Sequence, residues 1–144
     1  MKYEKSCGAV VFRREAGEWN VLLIRHARGR HISFPKGHME SGELESHTAE
    51  REVFEETGIR VKVDRRYRAE NRYNIRADIQ KLVVIFAAVT TQREIIPQPE
   101  EIAEANWVPV EEALERLTYE RDRKILRAAL VHVEKYYGNK KPKA

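Results

Sequence analysis

The chain has 144 residues, a formal net charge of +4 and one cysteine, Cys7. This length is enough for one domain that buries its own core, and a single cysteine excludes an intramolecular disulfide. The apolar runs are much shorter than the roughly 20 residues needed to span a bilayer, and the first residues are too polar for a signal peptide. We therefore expect a cytoplasmic protein with no membrane anchor.

Lysines near the C-terminus account for the excess of positive charge. Lys135, Lys140, Lys141 and Lys143 lie within the last ten residues, which contain no acidic residue. A charge excess confined to a chain end is typical of a solubilising tail rather than of a nucleic-acid site. We predict a single domain over residues 1–138, a basic tail over residues 139–144 and no nucleic-acid partner.

The N-terminal part of the chain has the pattern of a hairpin followed by a loop. Lys5–Phe12 and Trp19–Ile24 are rich in β-branched and apolar residues, and the polar residues 13–18 between them include a glycine. Such an arrangement predicts two antiparallel strands joined by a turn. Glycine and proline then recur through Arg25–His38, which predicts a loop.

The middle of the chain predicts one helix and then several strands. Leu44–Thr57 contains neither glycine nor proline and is followed by Gly58, the residue type most often found where a helix stops. Apolar runs after Gly58 predict four strands. These strands are Arg60–Val63, Tyr67–Tyr73, Asp78–Thr91 and Ala105–Val108.

The C-terminal part predicts two helices. Pro109 is suited to a helix start before Glu111–Leu117, and Tyr119–Tyr137 carries apolar residues at helical spacing. Thr118 is the expected N-cap of the second helix, and Gly138 is its expected end. Strands interleaved with helices indicate an α+β fold, in which helices pack on a mixed β-sheet.

Three glutamates of the first predicted helix share one face. Glu52, Glu55 and Glu56 are three and four residues apart, so their carboxylates point the same way. Like charges at this spacing repel each other, and a hard divalent cation such as Mg²⁺ or Mn²⁺ would relieve the repulsion. A solvated acidic helix face is the alternative for such a triplet considered alone.

The residues around this triplet favour the metal interpretation. Gly37 is followed after five residues by Glu43, and after seven more by Arg-Glu-Val-Phe-Glu-Glu-Thr-Gly-Ile at positions 51–59. This pattern resembles the Nudix box at every fixed position. The resemblance implies an α/β/α sandwich around a mixed β-sheet and a Mg²⁺- or Mn²⁺-dependent pyrophosphohydrolase that cuts a phosphoanhydride bond in a nucleotide.

The same resemblance implies roles for individual residues. Glu52, Glu55 and Glu56 correspond to metal ligands and form the catalytic group together with Arg51, which orients the glutamates. The base that activates water is either one of these glutamates or a metal-bound hydroxide. Gly37 lets the loop approach metal or phosphate closely, because it has no Cβ.

The loop before the box suits a substrate with several phosphates. Four arginine or lysine residues, and no acidic residue, occur between Glu18 and Glu40. Lys36 and His38 adjoin the box and are the expected substrate-binding residues together with Gly37. The loop arginines are expected to be exposed to solvent.

A shorter string refines the resemblance. Phe34-Pro-Lys-Gly-His38 resembles the start of the box in the asymmetric diadenosine tetraphosphate hydrolase branch of the family. That branch implies a further metal-binding glutamate several residues before a tryptophan, which corresponds to Glu101 before Trp107. Glu100 and Glu104 are the alternatives for this position.

We therefore expect hydrolysis of a dinucleoside polyphosphate such as diadenosine tetraphosphate. ADP-ribose, a nucleotide sugar or a nucleoside triphosphate would be cut by the same chemistry. A non-catalytic nucleotide sensor or an RNA-associated module is an alternative of another class, suggested by arginines at positions 65, 66, 68, 72 and 76. Phe34, Tyr73 and Tyr119 could stack on a base, although such aromatics usually serve the core. The sequence is compatible with a monomer and with a homodimer.

Overall fold

The computed structural model describes residues 1–138, so the tail predicted over residues 139–144 lies outside the described residues. Within residues 1–138 the chain forms seven strands and three helices. They are β1 Lys2–Glu15, β2 Glu18–His26, β3 Ile32–Ser33, β4 Lys36–His38, α1 Glu45–Thr57, β5 Asp64–Arg76, β6 Ile79–Val89, β7 Ile102–Pro109, α2 Val110–Arg116 and α3 Glu120–Tyr137. None of the helices in this range is long and apolar enough to cross a membrane.

The strands form one mixed sheet with β1 at its centre. β1 pairs in parallel with β6 over eleven residue pairs, from Lys2 opposite Ile79 to Phe12 opposite Val89. It also pairs antiparallel with β2 and with β4. β5 continues the sheet beyond β6, while β3 and β7 pair with β2. One parallel pair among antiparallel ones confirms the predicted mixed sheet.

Alternate residues of β1 face two separate cores, because successive side chains of a strand point to opposite faces of the sheet. Val10 and Phe12 belong to a buried cluster that includes α2 and α3, whereas Cys7, Ala9 and Val11 belong to one that includes α1. All five side chains are fully buried. Helices therefore cover both faces of the sheet, and the predicted α/β/α sandwich is confirmed.

Helix α1 has the ends that its sequence predicts. Leu44 is its extended N-cap residue, and Gly58 adopts a left-handed conformation with φ of 75° while its N–H donates to the carbonyl of Phe54. In the first turn, Glu45 accepts hydrogen bonds from Arg68 at 2.8 and 2.9 Å and pairs with Lys5 at 2.6 Å. These contacts tie the start of the helix to β1 and β5.

The strand predicted over Arg60–Val63 is wrong. The backbone N–H of Val63 donates to the side chain of Glu50 at 2.9 Å, and that of Arg60 donates to the side chain of Gln92 at 3.0 Å. These donors are therefore satisfied by side chains rather than by a neighbouring strand. Apolar residues alternate in this segment because Ile59 and Val63 are buried in the core beside α1.

Two details of the remaining prediction also differ. The predicted loop over Arg25–His38 contains the short strands β3 and β4, which are too brief to produce a period in the sequence. Thr118 is not the N-cap of α3, since that position belongs to Tyr119 without a side-chain cap. The hydroxyl of Thr118 instead accepts a hydrogen bond from the N–H of Ile32 at 2.8 Å. The predicted hairpin and both C-terminal helices are present.

Candidate active site

A cavity of about 840 Å³ begins beside β4 and extends across the sheet to β5. The strand register aligns His38, Ser6, Val83 and Asn71 across β4, β1, β6 and β5, and all four residues line it. Three inter-strand spacings make this floor on the order of 14 Å wide. The other lining residues are His26, His31, Lys36, Gly37, Glu52, Glu56, Tyr73, Asn74, Ile75, Lys81, Glu101, Tyr119, Arg121 and Asp122.

Two carboxylates of α1 reach the cavity at its β4 end. Glu52 and Glu56 are one helical turn apart, and Glu56 is only 5% exposed. Burial raises the pKa of both groups, and the nearby charge of Glu52 helps to raise the pKa of Glu56 to about 8. The backbone N–H of Lys36 donates to Glu56 at 3.3 Å. This end of the cavity therefore concentrates negative charge in a poorly solvated place.

Arg51 holds the acidic residues around it in fixed positions. Its guanidinium forms a two-point contact with Glu43, at 2.6 and 3.0 Å, and donates to Glu52 at 2.9 Å. It also donates to Glu55 at 3.2 Å and to the carbonyl of His38 at 3.0 Å. The Arg51 hydrogen bond is the main reason that the pKa of Glu43 falls to about 2. This network fixes Glu43 and Glu52 relative to Arg51.

The predicted site residues do not all face the cavity. Glu52, Glu56 and Glu101 line it together, whereas Glu55 is exposed on α1 and is turned towards Arg51. Glu104, an alternative to Glu101, instead pairs with Arg25 at 3.0 Å. The structure thus brings three of the four candidate carboxylates to one cavity.

Gly37 lies against the acidic face of α1. A Cβ built on Gly37 would overlap the carboxylate of Glu52. Gly8, whose register partner on β4 is Lys36, has a similar constraint, because a Cβ there would overlap the carbonyl oxygen of Pro35 and the side chain of Lys36. Glycine at these two positions lets β4 lie against both β1 and the acidic face of α1.

The donor set at the β4 end fits a hard divalent cation. Mg²⁺ is commonly bound through one or two carboxylates while water and substrate phosphates complete its coordination. Glu52 and Glu56 supply such carboxylates, and a cation would offset both the burial and the nearby charge of Glu52 that raise the pKa of Glu56. Among residues 1–138, no three His, Cys, Asp or Glu side chains converge into a ready-made cage. The arrangement therefore suits an ion that shares its coordination with a ligand.

Cationic side chains line the cavity beside the carboxylates. The Nζ atom of Lys36 donates to the hydroxyl of Ser33 at 3.2 Å, and burial lowers the pKa of Lys36. Burial also lowers the pKa of Lys81 on β6. His26 stacks on His31 with ring centroids 3.9 Å apart, and burial lowers the pKa of His26 to about 4. His26 is therefore neutral near pH 7.

Sequence reasoning missed several of the lining residues. Lys81 and Asp122 were not singled out, because each sits in an element whose pattern is explained by the core. A signal existed for Lys81, since it is a charged residue that begins an otherwise apolar strand segment. Among the aromatic candidates, Tyr73 and Tyr119 line the cavity, whereas Phe34 is buried in the core.

Comparison with known proteins identifies the family. The family model of the NUDIX domain matches residues 2–129. The chain is 36% identical over 107 residues to an 8-oxo-(d)GTP phosphatase of Mycolicibacterium smegmatis, covering 74% of this chain and 32% of that protein. It is 37% identical over 103 residues to the NAD-capped RNA hydrolase NudC of Salmonella heidelberg, covering 70% of this chain and 37% of that protein. The chain thus spans about a third of the length of these curated relatives.

Solved structures show the same fold. A binary complex of the C. elegans Ap4A hydrolase superposes with a TM-score of 0.85 at 24% identity, covering 92% of this chain and 99% of that chain. The NUDIX domain of Shewanella oneidensis NrtR, complexed with ADP ribose, superposes with a TM-score of 0.75 at 16% identity, covering 92% of this chain and 90% of that chain. Because the family model matches residues 2–129, a range that includes the box at residues 37–59, this chain belongs to the Nudix family.

Proposed function

We propose that this protein hydrolyses a phosphoanhydride bond in a dinucleoside polyphosphate such as diadenosine tetraphosphate, with Mg²⁺ or Mn²⁺ as cofactor. The observation that carries the proposal is one cavity that joins the carboxylates of Glu52 and Glu56 to cationic and aromatic side chains. A polyphosphate needs the cationic lining, and a cation held by the carboxylates would be shared with its phosphates. Both requirements are met within one space.

The side chains of the site would divide the chemical work. A divalent cation, when bound, supplies positive charge that neutralises phosphoryl oxygens. Glu52 and Glu56 would hold it, with Glu55 and Glu101 as further candidates, and one of the cavity carboxylates accepts the proton of the attacking water. Arg51 keeps Glu52 in a fixed orientation through its 2.9 Å hydrogen bond.

The rest of the cavity favours a long substrate. Its floor crosses four strands, which is on the order of 14 Å. Lys36 and Lys81 place positive charge along this floor, and Tyr73 and Tyr119 add aromatic lining to the same cavity. Similarity in fold to an Ap4A hydrolase supports the same substrate class. We propose that His38 and Gly37 contact the phosphates next to the carboxylates.

The RNA-associated alternative has less support. The arginines that suggested it lie on the edge strand β5, and most have an acidic partner. The pairs are Arg66 with Asp64 at 2.8 Å, Arg68 with Glu45 at 2.8 Å, Arg72 with Glu70 at 3.9 Å and Arg76 with Asp78 at 3.3 Å. Neutralised arginines attract a phosphate backbone weakly.

A substrate panel tests the proposal. The purified protein is incubated with Mg²⁺ and either diadenosine tetraphosphate, ADP-ribose or 8-oxo-dGTP, and products are separated by anion-exchange chromatography. We expect the highest kcat/KM for diadenosine tetraphosphate. A higher kcat/KM for ADP-ribose or 8-oxo-dGTP would show that this compound is the better substrate, while the proposed reaction would stand. No hydrolysis of any of them would contradict the enzymatic proposal and favour a nucleotide sensor.

A matched pair of variants tests the site. Glu56→Gln should lower kcat by two to four orders of magnitude, because the neutral amide can neither hold a cation nor accept a proton. Glu115→Gln makes the same chemical change on the exposed face of α2 and should leave kcat unchanged. Near-normal turnover by Glu56→Gln, with a folded protein in both cases, would remove Glu56 from the site.

A further inference from the structure

Arg121, in the first turn of α3, is held between two aromatic rings in the wall of the cavity. Its guanidinium carbon lies 4.1 Å from the ring centroid of Tyr73 and 4.2 Å from that of Tyr119. All three residues line the cavity. Contact with two rings restricts a long side chain that would otherwise sample many rotamers, so the charge of Arg121 has a defined position.

The charge of Arg121 is not balanced by a carboxylate. Within residues 1–138 Arg121 forms no ion pair, whereas Arg123 and Arg127 on the same helix pair with Glu120 at 2.7 and 3.5 Å. The adjacent Asp122 is nearly buried and interacts mainly with the charge of Lys36. An unpaired guanidinium in a cavity that also contains Lys36 and Lys81 calls for an anionic ligand.

The two ring contacts suit the guanidinium of Arg121 to an anionic ligand. A guanidinium is planar, and its five N–H groups point outwards in that plane. When aromatic rings cover its faces, the edge remains available for paired hydrogen bonds to phosphate oxygens. Tyr73 and Tyr119 thus hold Arg121 in a form suited to a phosphate group.

The location of Arg121 separates it from the acidic end of the cavity. Tyr73, on which it stacks, belongs to β5, whereas Gly37 and the glutamates lie beside β4. Two strands, β1 and β6, lie between them, so the two ends are three inter-strand spacings apart, on the order of 14 Å at the backbone. Stacking on Tyr73 therefore places Arg121 on the β5 side of the cavity, whereas the glutamates lie on the β4 side.

We propose that Arg121 is a specificity-determining residue that selects substrates by the length of their phosphate chain. It binds phosphate oxygens beyond those at the scissile bond, and so favours chains of three or more phosphates over diphosphates. This inference rests on the proposed function, because it assumes that the bond is cut at the Glu52 and Glu56 end.

Binding measurements test the inference independently of turnover. Calorimetry with Mg²⁺ compares methylene-bridged, non-hydrolysable analogues of ATP and ADP. We expect Arg121→Ala to weaken binding of the triphosphate analogue about tenfold, because one charge-assisted contact is lost. Binding of the diphosphate analogue should weaken less than threefold. Arg127→Ala, on the same helix with its ion pair to Glu120, should change neither. Equal losses for both analogues, or no loss, would overturn the inference.

Kinetics with a matched substrate pair supplies a second readout. For diadenosine tetraphosphate, Arg121→Ala should raise KM about tenfold with kcat little changed, whereas diadenosine diphosphate should be unaffected. Arg121→Lys keeps the positive charge but lacks the planar guanidinium. Its KM for diadenosine tetraphosphate should therefore lie between those of the natural protein and Arg121→Ala. If the natural protein hydrolyses neither compound, the proposed function fails, and the calorimetric comparison still decides the role of Arg121.

Discussion

Replacing Gly37 by alanine should impair catalysis while leaving the protein folded. The new Cβ would overlap the carboxylate of Glu52, which must move away. That carboxylate is the far end of a flexible side chain, so the fold can accommodate the change for less than about 1 kcal/mol. The displaced group is a proposed metal ligand, and a misplacement of about 1 Å can lower a rate by about a hundredfold.

The matched control is Gly8→Ala, one strand away. There the new Cβ would overlap the carbonyl oxygen of Pro35 and lie 2.8 Å from Cα of Lys36, which are backbone atoms that cannot turn aside. We expect this variant to lose about 1–3 kcal/mol of unfolding free energy through overpacking. We therefore expect Gly37→Ala to be stable but slow in catalysis, and Gly8→Ala to be less stable than the natural protein.

Urea unfolding and the Mg²⁺ dependence of hydrolysis measure the two effects. For Gly37→Ala we expect an unfolding midpoint close to that of the natural protein, and a lower kcat that higher Mg²⁺ restores only in part. Full activity in this variant would show that Glu52 need not occupy its observed position. A loss of several kcal/mol would show that Gly37 serves the fold instead.

Two further predictions concern ion pairs of α1. Arg51→Lys keeps the charge but cannot contact Glu43 at two points while holding Glu52, so kcat should fall about 10- to 100-fold; an unchanged kcat would contradict the orienting role. The pKa of Glu45 is lowered to about 2, chiefly by Arg68, so its stabilisation is complete above about pH 4.5 and is lost as pH falls towards 2. Glu45→Gln should therefore cost about 1–2 kcal/mol at pH 7, after allowance for solvent screening, and almost nothing near pH 2. Urea titrations at both pH values check this, and a cost independent of pH would contradict it.

Much of the fold follows from local patterns. The α1 helix is marked by a glycine stop, and the hairpin of β1 and β2 by a turn in which Ala16 and Gly17 have positive φ. Both were predicted because their signals are local. The short strands β3 and β4 were not predicted, because two and three residues are too few to produce a period in the sequence. The false strand at 60–63 arose because alternating burial does not reveal where backbone N–H groups bond.

The site was predictable on its acidic side and less so elsewhere. Helical spacing brings Glu52 and Glu56 to one cavity, but it did not reveal that Arg51 holds Glu55 on the exposed side. Lys81 and Arg121 come from a strand and a helix far along the chain, and only the folded sheet places them opposite the glutamates. Sequence periodicity assigns residues to the faces of helices and strands. The lining of a cavity also depends on how those helices and strands pack together.

The central parallel pair of β1 and β6 has a consequence for folding. Every contact in that pair joins residues 77 positions apart, from Lys2 with Ile79 to Phe12 with Val89. Closing so long a loop costs entropy before any interaction offsets it, and topologies dominated by such contacts fold slowly. Strand β1 therefore cannot pair with β6 until the residues between them are in place, and we expect the cavity to form late in folding, with no partly active precursor.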